Sequence, residues 1–124
     1  MYGRDSLLTL GRRKLEFFKA IWHIAVVMAD LRFEWDPKKA ATNEKKHGVT
    51  FGEAQSVFSD EDALVIPDPD HSQVEERFII LGLSSQDRAL VVVHCFRAEG
   101  SVIRIISARR AGTKEQKTYW EKKS

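Results

Sequence analysis

The chain has 124 residues, enough for one domain that buries roughly two thirds of its unfolded surface. Hydrophobic residues make up 43% and charged residues 31%, and 20 Lys and Arg against 18 Asp and Glu leave a net charge of +2, which excludes a disordered chain and a general coat for polyanions. The single Cys95 excludes an internal disulfide framework and a zinc site built on several thiolates, and fits a reducing cytoplasm.

Residues 1–28 differ from the rest. Arg12, Arg13 and Lys14 precede an apolar stretch from Phe17 to Ala29, and Val27-Met28-Ala29 has the look of a signal-peptidase site. Lys19 and His23 interrupt that stretch, which is also shorter than the roughly 20 residues a bilayer demands. The segment is read as an N-terminal extension, and the compact unit as 29–124.

Leu31 to Trp35 alternates apolar and polar residues, the period of a half-buried strand with Leu31, Phe33 and Trp35 on one face. Asp36-Pro37 reads as an N-cap followed by proline at the first helical position, and the helix should run to about His47. Gly48 stops it, while Lys45, Lys46 and His47 complement its negative end. Thr50 and Glu53 have capping-box spacing and open a second helix whose buried stripe is Phe51, Ala54, Val57 and Phe58.

The period then shortens. Ala63 to Ile66, Val74 to Leu83, Ala89 to Phe96 and Ser101 to Arg109 read as strands, the first stopped by Pro67 and a polar loop, the others joined by short turns. Short links make consecutive strands antiparallel neighbours. Thr113 to Gln116 offers another capping box, opening a terminal helix that carries Tyr119 and Trp120. The expected order is β-α-α-β-β-β-β-α, an α+β domain with an antiparallel sheet and helices packed on one side.

Charge is unevenly spread. From Glu53 to Glu76 there are eight acidic residues and no Lys or Arg, whereas Arg97 to Ser124 carries eight basic and three acidic residues. The basic end suits an anionic ligand and the acidic stretch a cationic partner, although solvated faces give the same count. No glycine-rich phosphate loop, HExxH, EF-hand loop or GxSxG elbow occurs, and no metal or cofactor is expected.

Of the four histidines, His23 lies in the extension, His47 closes a helix, and His94 falls in a strand where a hydrogen-bonded core histidine is the plainer reading. His71 stands in a polar loop beside Ser72, just before Glu75, Glu76 and Arg77. Loops on rigid scaffolds commonly carry function. Glu75 and Arg77 would share one strand face, either as a wet salt bridge or as an acid/base carboxylate beside a phosphate-binding guanidinium. Arg104 stands among aliphatic residues and needs an acidic partner or a bound anion if buried. Without a bulge, alternation puts Arg104 on one face and Arg109 on the other, an obstacle to a two-arginine site.

Three segments, FEWDPKKAATNEKKHGVTF at 33–51, HSQVEERFIILG at 71–82 and IRIISARRAGTKEQKTY at 103–119, together resemble the BrnT toxins of bacterial type II toxin-antitoxin systems. The resemblance covers nearly all of 29–124. It implies a RelE-like fold, RNA cleavage that inhibits translation, and neutralisation by a BrnA-like antitoxin with a ribbon-helix-helix DNA-binding part, so that DNA is met only through the antitoxin. Metal-free RNA cleavage can use the substrate's own 2′-hydroxyl, leaving the protein to move protons and hold the phosphate. On that basis His71 and Glu75 are the acid/base candidates, Arg77 and Arg104 hold the phosphate, and Arg109 binds the flanking backbone. Lys39 and Lys46 are further RNA contacts, against the plainer reading of a solvated helix face. The competing function is a non-catalytic module that binds a DNA-binding protein partner.

Overall fold

The computed structural model describes residues 31–69 and 76–123. Strand β1 (Arg32–Glu34) leads into α1 (Pro37–His47), where the Asp36 carboxylate accepts from the Lys38 N–H at 2.8 Å and Pro37 takes the first turn. At its far end Gly48 turns left-handed at φ 69° and donates to the Glu44 carbonyl at 2.8 Å, a conformation that costs glycine little. Helix α2 (Phe51–Ser56) runs into one 3₁₀ turn, Val57–Ser59. Then come β2 (Leu64–Pro67), β3 (Phe78–Leu83), β4 (Ala89–Arg97), β5 (Val102–Arg110) and α3 (Thr113–Lys123). The expected element order holds among the described residues. The third of the expected strands starts at Phe78 rather than Val74, and Val74 itself lies outside the described residues.

Two capping expectations shift. Thr50 Oγ1 accepts from the Glu53 N–H at 3.0 Å, but Glu53 turns inward instead of reaching back. Its carboxylate accepts from Ser84 Oγ at 2.7 Å and Arg88 Nε at 2.9 Å, and pairs with Arg88 Nη2 as well. The Arg88 guanidinium holds Glu53 below the usual carboxylate range. At α3 the cap moves one residue upstream: Gly112 N–H donates to Glu115 Oε1 at 2.8 Å, and Thr113 is already helical.

The sheet order is β1-β5-β4-β3-β2. Strands β2 to β5 are antiparallel, as their short links require, but β1 lies parallel to β5. The sheet is therefore mixed, not wholly antiparallel. No short link constrains β1, which the long stretch of chain between it and β5 leaves free to pair parallel at the outer edge of β5.

One face of the sheet is the core. Ile80, Leu90, Val92, His94, Ile103, Ile105 and Ala108 are buried there, and Phe51, Ala54 and Val57 are buried on the neighbouring helical segment. Gly82 belongs to this face because a Cβ there would stand 2.9 Å from both Ala63 Cβ and Val57 Cγ1. Beyond the short β1, the outer edge of β5 is closed by a side chain. Asn43 Oδ1 accepts from the Ala108 N–H at 3.0 Å, and Nδ2 donates to the Ala108 carbonyl at 2.8 Å and the Val49 carbonyl at 3.0 Å.

The helices do not all pack on one side. Ile79, Leu81, Leu83, Ala89 and Val91 form a second apolar patch on the opposite face with Ala111, and α3 lies along it, with Glu115 and Thr118 lining a groove over Leu81 and Val91. An apolar sheet face needs cover, and the turn at Ala111-Gly112 delivers the last helix to it.

Candidate active site

The second face carries the guanidinium groups. Its geometry depends on a bulge in β5: Val93 pairs with Ser107 and His94 with Ile105, so Ile106 has no partner in the register. The extra residue reverses the alternation between the two halves of the strand. Arg104 pairs with Cys95 and Arg109 with Val91, and Cys95 and Val91 are an even number of residues apart on an unbroken β4. Arg104 and Arg109 thus share one face, and the obstacle read from simple alternation disappears. They stand roughly 13 Å apart along the strand at about 3.3 Å per residue.

Arg77 joins them. Pairing of β2 and β3 runs one residue past both strands, with Asp68 N–H donating to the Arg77 carbonyl at 2.9 Å. Phe78 pairs with His94 on the core face, so alternation carries Arg77 to the arginine face, at the register position flanking Cys95, which stands between it and Arg104. On the other side of Arg104 stands Glu34, its partner in the parallel β1 ladder. Arg104 Nη1 donates to Glu34 Oε2 at 2.7 Å, and Arg97 Nε lies 3.6 Å from the same oxygen. Arg109 meets Glu115 through two bonds, at 2.8 and 2.7 Å, and its guanidinium lowers the Glu115 pKa from 4.5 to about 2.

His71 and Glu75, the acid/base candidates, lie outside the described residues. Lys39 and Lys46 are exposed on α1 and line, with Lys38, His47, Asn43 and Ser107, a basic cleft of about 320 Å³ against β5. They approach β5 from its outer edge, which is a different route to the sheet from that of the arginines. His94 is a core histidine: it is 1% exposed, and its ring lies edge-on to Phe58 at 4.8 Å and to Phe96 at 5.5 Å. Burial pushes its pKa down.

Sequence reasoning missed Glu34 and Arg97. The alternation around Phe33 already sends Glu34 away from the core, where Phe33 meets the Phe58 ring at 5.2 Å. Its partner, however, is 70 residues away and is fixed only by the parallel pairing. Among the described residues no three His, Cys, Asp or Glu side chains gather to hold a metal ion, and no helix is long and apolar enough to cross a membrane.

Comparison with known proteins agrees with the resemblance. The profile of the family described as ribonuclease toxin, BrnT, of type II toxin-antitoxin system matches residues 35–115. The crystal structure of the Brucella abortus ribonuclease toxin, BrnT, superimposes with a TM-score of 0.53 at 22% identity, over 67% of this chain and 99% of that one. At that identity the likeness is one of fold. A comparison with proteins of curated function gives no match.

Proposed function

Because the chain belongs to the BrnT family of ribonuclease toxins of type II toxin-antitoxin systems, we propose that it is a metal-independent endoribonuclease that cleaves RNA, stops translation in the cytoplasm and is silenced by a BrnA-like antitoxin. The observation that carries this reading is the sharing of one sheet face by Arg104 and Arg109 across the Ile106 bulge, with Arg77 across β4 from Arg104 on the same face. A guanidinium fork offers directed hydrogen bonds to phosphate oxygens. Arg77 and Arg104 hold the scissile phosphate, and Arg109, farther along the strand, holds a neighbouring one. Lys39 and Lys46 contact the backbone as it leaves the face, and His71 and Glu75, which precede β3 in sequence, are the acid/base candidates. The fold is of the RelE-like kind, the toxin domain spans 29–124 with 1–28 as an extension, and DNA is reached only through a ribbon-helix-helix part of the antitoxin.

The test is digestion of single-stranded RNA by the purified chain, with a chelator present. Cleavage that survives the chelator is expected, along with a loss of roughly 10²- to 10³-fold in R104A, the scale of removing one donor to a developing oxyanion. R109A should weaken binding more than turnover. A chain that binds RNA but leaves it intact would favour the non-catalytic module.

A further inference from the structure

The ribonuclease reading leaves open which group takes the proton from the attacking 2′-hydroxyl, and the arginine face holds a carboxylate in place for it. We propose that Glu34 is the general base of RNA cleavage, a role read from its position between Arg104 and Arg97; the inference rests on the ribonuclease function above.

Phe33 anchors β1 in the core, so its neighbour Glu34 is turned out onto the arginine face. Its Oε2 accepts from Arg104 at 2.7 Å and lies 3.6 Å from Arg97, yet the side chain remains 42% exposed and open to a ligand. An ion pair this exposed contributes little to stability, so the fold does not explain it. A guanidinium has five N–H donors, and the Glu34 bond uses one nitrogen of Arg104. The remaining donors of Arg104 can meet the oxygens of a phosphodiester. A phosphate seated there brings the adjacent ribose within hydrogen-bond reach of the Glu34 carboxylate, as a general base requires.

The step balances as follows. The 2′-oxygen forms a bond to phosphorus while its proton passes to Glu34, and the bond from phosphorus to the 5′-oxygen breaks. That oxygen takes a proton from solvent water, and Glu34 returns its own proton to solvent. The products are a 2′,3′-cyclic phosphate and a 5′-hydroxyl end. Glu34 rather than Glu75 accepts the proton.

Single-turnover cleavage of a labelled single-stranded RNA, together with binding of its 2′-O-methyl counterpart, which lacks the attacking hydroxyl, separates the alternatives. In E34Q the cleavage rate should fall roughly 10²- to 10⁴-fold. The 2′-O-methyl RNA should bind as well as before or more tightly, because an anion no longer competes for Arg104 and Arg97. E34D, which keeps the carboxylate, should cleave faster than E34Q, and E75Q should lose less than E34Q. A rate in E34Q equal to or above that of the wild type would make Glu34 a spectator or a plug. Parallel loss of rate and binding, equal rates in E34D and E34Q, or a larger loss in E75Q would each overturn the assignment. If the wild-type chain leaves RNA intact, the ribonuclease reading falls first; wild-type cleavage beside an active E34Q sinks this inference alone.

Discussion

His94 shows how one side chain can resemble a functional group and act as a structural one. Its ring is enclosed by Phe58, Phe78 and Phe96, and Nδ1 lies 3.3 Å from the Val92 carbonyl. Burial lowers its folded pKa below 6.5, so the unfolded chain binds a proton first as the pH falls. Its contribution to stability is therefore complete above pH 6.5 and declines as the pH drops below that value. Denaturant unfolding at pH 7.5, 6.5 and 5.5 should show the wild type losing stability over that interval and His94→Leu losing less. Parallel curves for the two proteins would contradict the assignment. The plainer reading of this residue was available from the apolar run around it, whereas the role of Glu34 depended on a partner that no local pattern could indicate.

At the scale of elements, the helices were legible because their caps are local chemistry: Asp36-Pro37, Gly48 and Thr50 act within four residues of themselves. The parallel β1 and the bulge were not. Both arise from pairings between distant strands, and the run Val102 to Ala108 has no Gly or Pro to mark the irregularity at Ile106. Nor did the sequence indicate that Asn43, in the middle of α1, would serve as a substitute strand for the open edge of β5. It is 6% exposed and makes three hydrogen bonds to backbone groups. Removing it strands the Ala108 N–H and two carbonyls, each unmet group costing about 1–3 kcal/mol when buried. Asn43→Ala should thus lower stability by about 3 kcal/mol in urea unfolding. A loss below about 0.5 kcal/mol, the scale of an ordinary surface change, would show that the edge does not need this seal.

Across the whole domain, the charge asymmetry of the sequence only partly survives folding. Glu53 is drawn inside by Arg88. Burial opposes the charge of Asp60, yet bonds from the Leu83 N–H and the Tyr119 hydroxyl, both 2.7 Å, hold its pKa below the ordinary value. These acidic groups lock the helical layer and α3 to the sheet, which leaves the arginine face to meet an anion. If Arg77, Arg104 and Arg109 each neutralise one phosphate, the logarithm of RNA affinity should fall with the logarithm of salt at a slope of about −2, at about 0.7 per contact on single strands. R109A should reduce that slope by about 0.7, and an unchanged slope would remove Arg109 from the interface. The unpaired Ile106 has one more consequence, for sequence change itself. Smoothing the bulge while keeping every residue would swing Arg104 or Arg109 into the hydrophobic interior, although composition and net charge would not register it. Losing one residue together with the bulge would instead leave the two arginines four apart and still on one face, so chain length and bulge can change here only as a pair.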